Sequence, residues 1–305
     1  MMAAATTDDL IVKGNLLSNN SKLNDGLEND HRGSVVATGE SQFNISVVIP
    51  VYNQEMKISM AIARIREVLS SILLNYELII VDDGSHDNTL DVLKKEKKSD
   101  PHLSIISYVS NRGKGHAVRK GVLQSSGNIV IFMDGDLEIS PKAIKDYINE
   151  LKNYHLVIGS KAHPLSEINV PTSRRFLSKT FHLLVRAALG IKLKDTQSGL
   201  KAGNGEALRK MFRTMLVNRF AFDVELLTIA TFLNLSIKEM PIVVSSNHAL
   251  KARDIQKMLL DILAISYRYR IKRWYQKRLL TLTDPKKGPS SMVQANNRKP
   301  SQSIS

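Results

Sequence analysis

Cysteine is absent from this sequence of 305 residues, which removes disulfides and thiolate metal sites from consideration. The absence suits a reducing compartment. Aromatic residues are few, 6% with a single Trp, so a base-stacking surface has little to be built from. No helix-turn-helix, zinc-finger or RNP pattern is present, and a nucleic-acid partner is not expected. No apolar run reaches the ~20 residues of a membrane-spanning helix. The longest, around Leu226–Ile237, is interrupted by Asn234. No basic-then-apolar stretch opens the chain, so no signal peptide is expected.

What is present is a hydrophobic content of 43%, enough for a sizeable core, and a net charge of +14. The charge is concentrated. From Lys251 to the end there are thirteen Lys/Arg against three Asp, which accounts for +10 of the total. Such a segment fits an anionic surface or a solvated tail. Residues 1–42, rich in Asn, Ser, Gly and Asp, and residues 284–305, rich in Ser, Asn and Lys, are both expected to be disordered tails. Between them a folded domain is expected over 43–250 and a basic amphipathic helix over 251–283.

Residues 43–160 alternate short apolar runs with helical periodicity. Strands are predicted at 45–50, 77–81, 103–108, 128–133 and 155–159. Helices are predicted at 55–74, 87–97, 114–124 and 141–151. Repeated strand–helix units imply an α/β fold, a mainly parallel sheet covered on both faces. Ligands in such sheets sit beyond the carboxyl ends of the strands. Three of the predicted strands end in polar clusters: Pro50 to Glu55, Asp82-Asp83-Gly84-Ser85, and Asp134-Gly135-Asp136-Leu137-Glu138. All three are expected to face one crevice.

Asp134, Asp136 and Glu138 place three carboxylates within five residues, tolerable where solvent or a cation compensates them. Oxygen donors suit Mg²⁺ or Mn²⁺; an acidic turn capping the next helix is the alternative. Asp82 and Asp83 can accept from a base N–H or ribose hydroxyls, or merely cap a turn. Arg112, Gly113 and Lys114 open a helix whose N–H groups can approach a phosphate. The stretch is neither a dinucleotide fingerprint, since Val118 stands where Gly is needed, nor a P-loop.

Taken as an ordered set, these pieces resemble glycosyltransferase family 2, whose members have the Rossmann-like GT-A fold. The matching stretches are Val48–Asn53, Val81–Thr89, Asn111–Lys120 and Asp134-Gly135-Asp136. In the second half, Gly159-Ser160-Lys161, Ser173-Arg174-Arg175 with Ser178, Asp195–Lys201 and Phe220–Glu225 look like the dolichyl-phosphate glucosyltransferase branch, a relative of the dolichyl-phosphate mannose synthases. Lys161 stands where relatives usually have Arg, Ser198 where the eukaryotic enzymes have Cys, and Glu138 where Gln is common.

The resemblance implies an inverting transfer of a hexose, with UDP-glucose its first choice, onto dolichyl or polyprenyl phosphate. GDP-mannose, an N-acetylhexosamine donor or another acceptor remain alternatives. It implies a nucleotide site drawing on Pro50, Tyr52, Asn53, Glu55, Asp82, Asp83, Arg112, Gly113, Lys114 and Asp134. It implies a metal on Asp134, Asp136 and Glu138. Lys161, Arg174, Arg175 and Ser178 are expected at the acceptor phosphate, and Asp136, Asp195, Arg174 and Arg175 at the reacting centre. A lipid phosphate is already an oxyanion near neutral pH, its second pKa being about 6, so positioning and charge compensation replace a strong base.

Ile255–Leu280 reads as a basic amphipathic helix, with Leu259, Leu263, Tyr267, Ile271 and Trp274 at helical spacing. It is expected either to dock on the cytoplasmic face of an anionic membrane or to pack on the domain. Nothing in the sequence indicates an oligomeric state.

Overall fold

The computed structural model describes residues 44–72, 74–169, 183–245 and 252–283. Both tails, and Arg174, Arg175 and Ser178, lie outside the described residues. The centre is a seven-stranded sheet of order β3-β2-β1-β4-β7-β5-β8. Its strands are β1 (Ile45–Val51), β2 (Tyr76–Asp82), β3 (Leu103–Ser107), β4 (Ile129–Met133), β5 (Leu156–Gly159), β7 (Leu200–Asn204) and β8 (Ile237–Met240). All pairs are parallel except those of β7, which runs antiparallel to β4 and β5. A short parallel ribbon joins β6 (Glu167–Asn169) to β9 (Val243–Ser245).

The near-continuous apolar strands follow from burial on both faces. Ile45, Val47, Ile49 and Val51 of β1 join the core on one face, with Ile58, Ile62, Ile65 and Leu69 of α1 (Ile58–Ser70). Val48 points the other way, to Ala117, Val118 and Val122 of α3 (Lys114–Gln124). The first face also receives Leu93 of α2 (Thr89–Ser99) and Tyr147 of α4 (Ile144–Glu150). The second is completed by α5 (Gly205–Thr214), α6 (Phe222–Phe232) and the C-terminal helices. The four predicted front-half helices and five strands are all found, with α1 starting at Ile58.

The C-terminal segment is helical but divided. α7 (Ala252–Ser266) runs into a wide turn in which the Lys272 N–H donates to the Tyr267 carbonyl, five residues back. Arg273 then takes a positive φ of 48°, which ends the run, and α8 (Trp274–Thr283) follows as a separate helix. Helical spacing alone continues through this break, which is why one helix was expected. Met258, Ile262, Ile265, Tyr275 and Leu279 are buried in the same core as the sheet.

α3 approaches β1 so closely that Gly121 has no room for a side chain: an added Cβ would press into Val48 Cγ1 and, at 3.1 Å, Val81 Cγ2. Alanine is worth about 1 kcal/mol more than glycine in a helix interior. Here that gain loses, because Val48 is stiff, buried and unable to turn away. Overpacking of this kind costs about 1–3 kcal/mol. Gly121→Ala is therefore expected to lower unfolding free energy by about 1 kcal/mol or more in denaturant titration. A stabilised variant would show that the helix can lift from the sheet.

Candidate active site

The carboxyl ends of β1, β2 and β4 open onto one cavity of about 420 Å³. Pro50, Tyr52, Asp83, Gly113, Lys114, Asp134 and Asp136 all line it, as the motif order anticipates. Gln54, Asn111, Arg219 and Phe220 line it too, and were not among the expected site residues. Phe220 belonged to a recognised block, but Arg219 carries no local signal: it arrives on the loop between α5 and α6.

Asp83 organises the near wall. Its Oδ1 accepts from the Tyr108 hydroxyl at 2.6 Å and the Arg112 N–H at 2.8 Å, and its Oδ2 from the Gly113 N–H at 2.8 Å. One carboxylate so holds the 111–113 loop over the strand end. Gly113 needs to be glycine: its φ is 100°, and a Cβ would lie 2.7 Å from the Asn218 carbonyl.

Other expected nucleotide residues have different surroundings. Asp82 is buried beneath the cavity, accepting from Ser85 N–H at 3.0 Å and Ser107 Oγ at 2.9 Å. Asn53 adopts φ 51°, a conformation Asn tolerates, and its Oδ1 accepts from the His86 N–H at 2.9 Å. Glu55 accepts from the Asn88 N–H at 2.9 Å. These side chains stitch the loop after β1 to the loop after β2. None of them, nor Arg112, is among the residues lining the cavity.

Asp134 and Asp136 form the floor. Lys114 Nζ meets Asp134 Oδ1 at 2.5 Å. Burial works against the lysine's charge, but Asp134 and Asp223 outweigh it and hold its pKa above the usual value. Burial, and then repulsion from Asp134, push Asp136 above the usual carboxylate range. Leu137 takes φ 57° and turns the chain, so Glu138 lines a separate cavity of about 100 Å³ with Lys161, Gln197 and Gly199. Asp134 lines both cavities. Among the described residues, no three His, Asp or Glu side chains gather as a metal-ligand group. Of the expected trio, Asp136 lines only the larger cavity, Glu138 only the smaller, and Asp134 both.

Asp195 is buried, and its Oδ2 accepts from Lys161 N–H at 2.9 Å with Lys161 Nζ at 3.7 Å. Its Oδ1 accepts from Gln197 N–H at 2.9 Å. It pins the 160–161 and 195–197 loops together and lines neither cavity. Behind the floor, fully buried Lys201 meets Asp223 Oδ1 at 2.7 Å and the Ser198 carbonyl at 2.6 Å.

Comparison with known proteins puts this geometry in context. The family model described as glycosyl transferase family 2 matches residues 46–212. The chain belongs to that family. This family 2 glycosyltransferase is 30% identical to the dolichyl-phosphate beta-glucosyltransferase ALG5C of Trichomonas vaginalis, over 78% of this chain and 75% of the relative. It is 30% identical to that of Dictyostelium discoideum over 75% and 76%, and 34% identical to that of Saccharomyces cerevisiae over 75% and 76%. Its fold resembles glucosyl-3-phosphoglycerate synthase of Mycobacterium tuberculosis, solved with Mn²⁺, UDP-glucose and glycerol 3-phosphate, at TM-score 0.55 and 23% identity, covering 74% of this chain and 80% of that one. The glycosyltransferase therefore has the GT-A architecture.

Asp83→Asn tests the loop clamp. One oxygen can still accept, but the amide nitrogen sets a donor against a donor. A buried unsatisfied group costs about 1–3 kcal/mol. Denaturant titration is expected to show a loss of that size, and Tyr108→Phe a smaller one; unchanged stability in Asp83→Asn would remove the clamp.

Proposed function

We propose that this glycosyltransferase moves glucose from UDP-glucose onto a dolichyl or polyprenyl phosphate. The observation that carries the reading is the meeting of two cavities at Asp134: one holds Tyr52, Asp83, Lys114 and Asp136, the other presents Lys161. The names of the relatives support the acceptor and sugar; the complexes of the solved neighbours support a UDP donor with Mn²⁺ or Mg²⁺.

The donor set fits such a cation. Magnesium is usually held by one or two carboxylates plus substrate phosphates, without a full protein cage. Asp134 and Asp136 supply two carboxylates that repel each other, and Lys114 already places positive charge on one of them. When bound there, a divalent ion offsets negative charge on the diphosphate leaving group. Tyr52 and Asp83 hold the nucleoside, and Lys114 at the start of α3 faces the phosphates.

Lys161 orients the acceptor phosphate, together with Arg174, Arg175 and Ser178 from outside the described residues. A phosphate oxygen attacks the anomeric carbon, a new C–O bond forms, and the old C–O bond to the diphosphate breaks. The departing UDP keeps the electron pair, and the configuration inverts. No proton has to be removed from the acceptor.

The C-terminal helices give the acceptor a route. Leu260, Leu263, Tyr267 and Ile271 remain exposed on the side away from buried Met258, Ile262 and Ile265. A helix apolar on both sides needs cover on both. Arg270, Lys272 and Arg273 border the exposed side, which suits an anionic membrane surface. No described helix is long and apolar enough to cross a membrane. Peripheral attachment at the cytoplasmic face follows from this reading.

Labelled UDP-glucose and polyprenyl phosphate are expected to give label in the organic phase. Asp136→Ala should cut this at least about 100-fold, the scale of losing one aimed electrostatic group, and chelation should stop it until Mn²⁺ or Mg²⁺ is restored. Near-normal turnover in either case refutes the metal role; label transferred only from GDP-mannose, or only to a water-soluble acceptor, refutes the substrate assignment.

Membrane attachment has its own test. Leu263 and Ile271 are 62% and 71% exposed, so changing them cannot unpack the core. Burying each side chain is worth about 1.5–3 kcal/mol. The double variant Leu263→Glu with Ile271→Glu is expected to lose at least tenfold in sedimentation with phosphatidylserine vesicles. Equal binding by variant and parent would assign the exposed side another role.

A further inference from the structure

The loop that brings Arg219 and Phe220 to the donor cavity, residues 215–221, has no strand partner. It is gripped instead by Glu225, a carboxylate buried in the first turn of α6. Glu225 Oε2 accepts from Leu216 N–H at 3.0 Å and Val217 N–H at 2.7 Å. Its other oxygen accepts from the hydroxyl of Tyr275, on α8, at 2.6 Å. Arg268, from the turn between α7 and α8, donates to that hydroxyl at 3.1 Å and brings Nη2 to 3.6 Å from Glu225. One carboxylate therefore ties the C-terminal helices to the loop.

The loop is in turn wedged beneath the start of α3. The Asn218 carbonyl accepts from the His116 N–H at 2.9 Å. A Cβ on Gly115 would lie 2.6 Å from Phe222 Cβ and 2.9 Å from the Arg219 carbonyl. Such close backbone approach leaves no slack, so a shift of the loop reaches both Lys114 and the Arg219–Phe220 wall. A fully buried carboxylate is costly to desolvate, and apolar packing would join helices as well. What only a carboxylate does here is accept from two backbone amides and a phenol together.

We propose that Glu225 and Tyr275 are positioning residues for the nucleotide cavity: through them the C-terminal helices set the place of the Arg219–Phe220 wall and of the α3 N-terminus. The proposal rests on the reading that this cavity takes a nucleoside diphosphate.

The experiment is calorimetric titration of UDP with Mn²⁺ into the full chain, comparing the parent, Tyr275→Phe and Ser46→Ala. Ser46 is a control for losing a buried hydroxyl, since it donates to Glu77 at 2.5 Å and accepts from Gly127 N–H at the opposite end of β1. Tyr275→Phe is expected to raise the UDP Kd at least fivefold, and Ser46→Ala less than twofold. Without ligand, hydrogen exchange at the Leu216 and Val217 amides should quicken in Tyr275→Phe alone. If Tyr275→Phe does not fold, Arg268→Leu replaces it, with the same direction expected. Parent-like UDP affinity in the folded variant overturns the positioning role even where exchange quickens. A parent chain that takes no UDP overturns the cavity reading and this inference with it.

Discussion

Negative charge gathered at the ends of parallel strands has to be compensated, and the manner of compensation sorts the carboxylates of this site. Asp82 and Asp83 are met by neutral donors: two for the former, three for the latter, drawn from hydroxyls and backbone N–H groups. Asp82 holds loops away from the cavity, while Asp83 holds the 111–113 loop and still lines the cavity with lone-pair capacity to spare. Asp134 is met by a charge, the Lys114 ammonium, and Asp136 accepts one backbone N–H, from Glu138, at 3.1 Å. Repulsion between these two leaves a deficit of positive charge where the proposed reaction places a cation and a diphosphate.

The same logic continues below the floor. Lys201 is fully buried, pinned between Asp223 and the Ser198 carbonyl, with Phe132 beneath its ammonium at 5.9 Å. A buried ion pair seldom adds stability over apolar packing of the same volume. Its influence is better seen in its neighbours: Asp134 and Asp223 together favour the charged form of Lys114. Burial raises the Asp223 pKa, while Lys201 and Lys114 oppose the rise. Signs alternate along the series Asp134, Lys114, Asp223, Lys201, so each charge is opposed by the next.

Much of this was legible in the sequence, for a physical reason. Parallel strands buried on both faces must be apolar, and their polar punctuation then marks the ligand edge, where Asp83, Asp134 and Asp136 stand; Lys114 is marked by the Gly-rich loop that opens a helix, and the roles come from the family resemblance. Roles depending on partners far along the chain were not legible. A carboxylate after a strand reads alike whether it faces a ligand or a neighbouring loop, so Asp82, Asn53 and Glu55 were indistinguishable from Asp83. The turn at Leu137 separates Glu138 from Asp136 by one positive φ that Leu does not advertise. The Glu225–Tyr275 tie spans fifty residues, and Lys201 sits in an apolar strand without any sign of its partner.

The distribution of carboxylates also bears on the acceptor. A sugar or protein hydroxyl has to lose a proton as it attacks, and a general base must stand within hydrogen-bond reach of it. Asp195, the expected helper, is turned inward by Lys161 and Gln197. Asp223 is locked to Lys201, and Asp134 to Lys114. Glu138 and Lys161 both line the smaller cavity, a space of about 100 Å³. For a hydroxyl acceptor Glu138, on the same cavity as Lys161, would have to act as the base. For a phosphate acceptor the ammonium is the asset, since it receives a group that arrives already ionised. On the proposed reading, the place of Lys161 on the smaller cavity supports phosphate over hydroxyl as the acceptor.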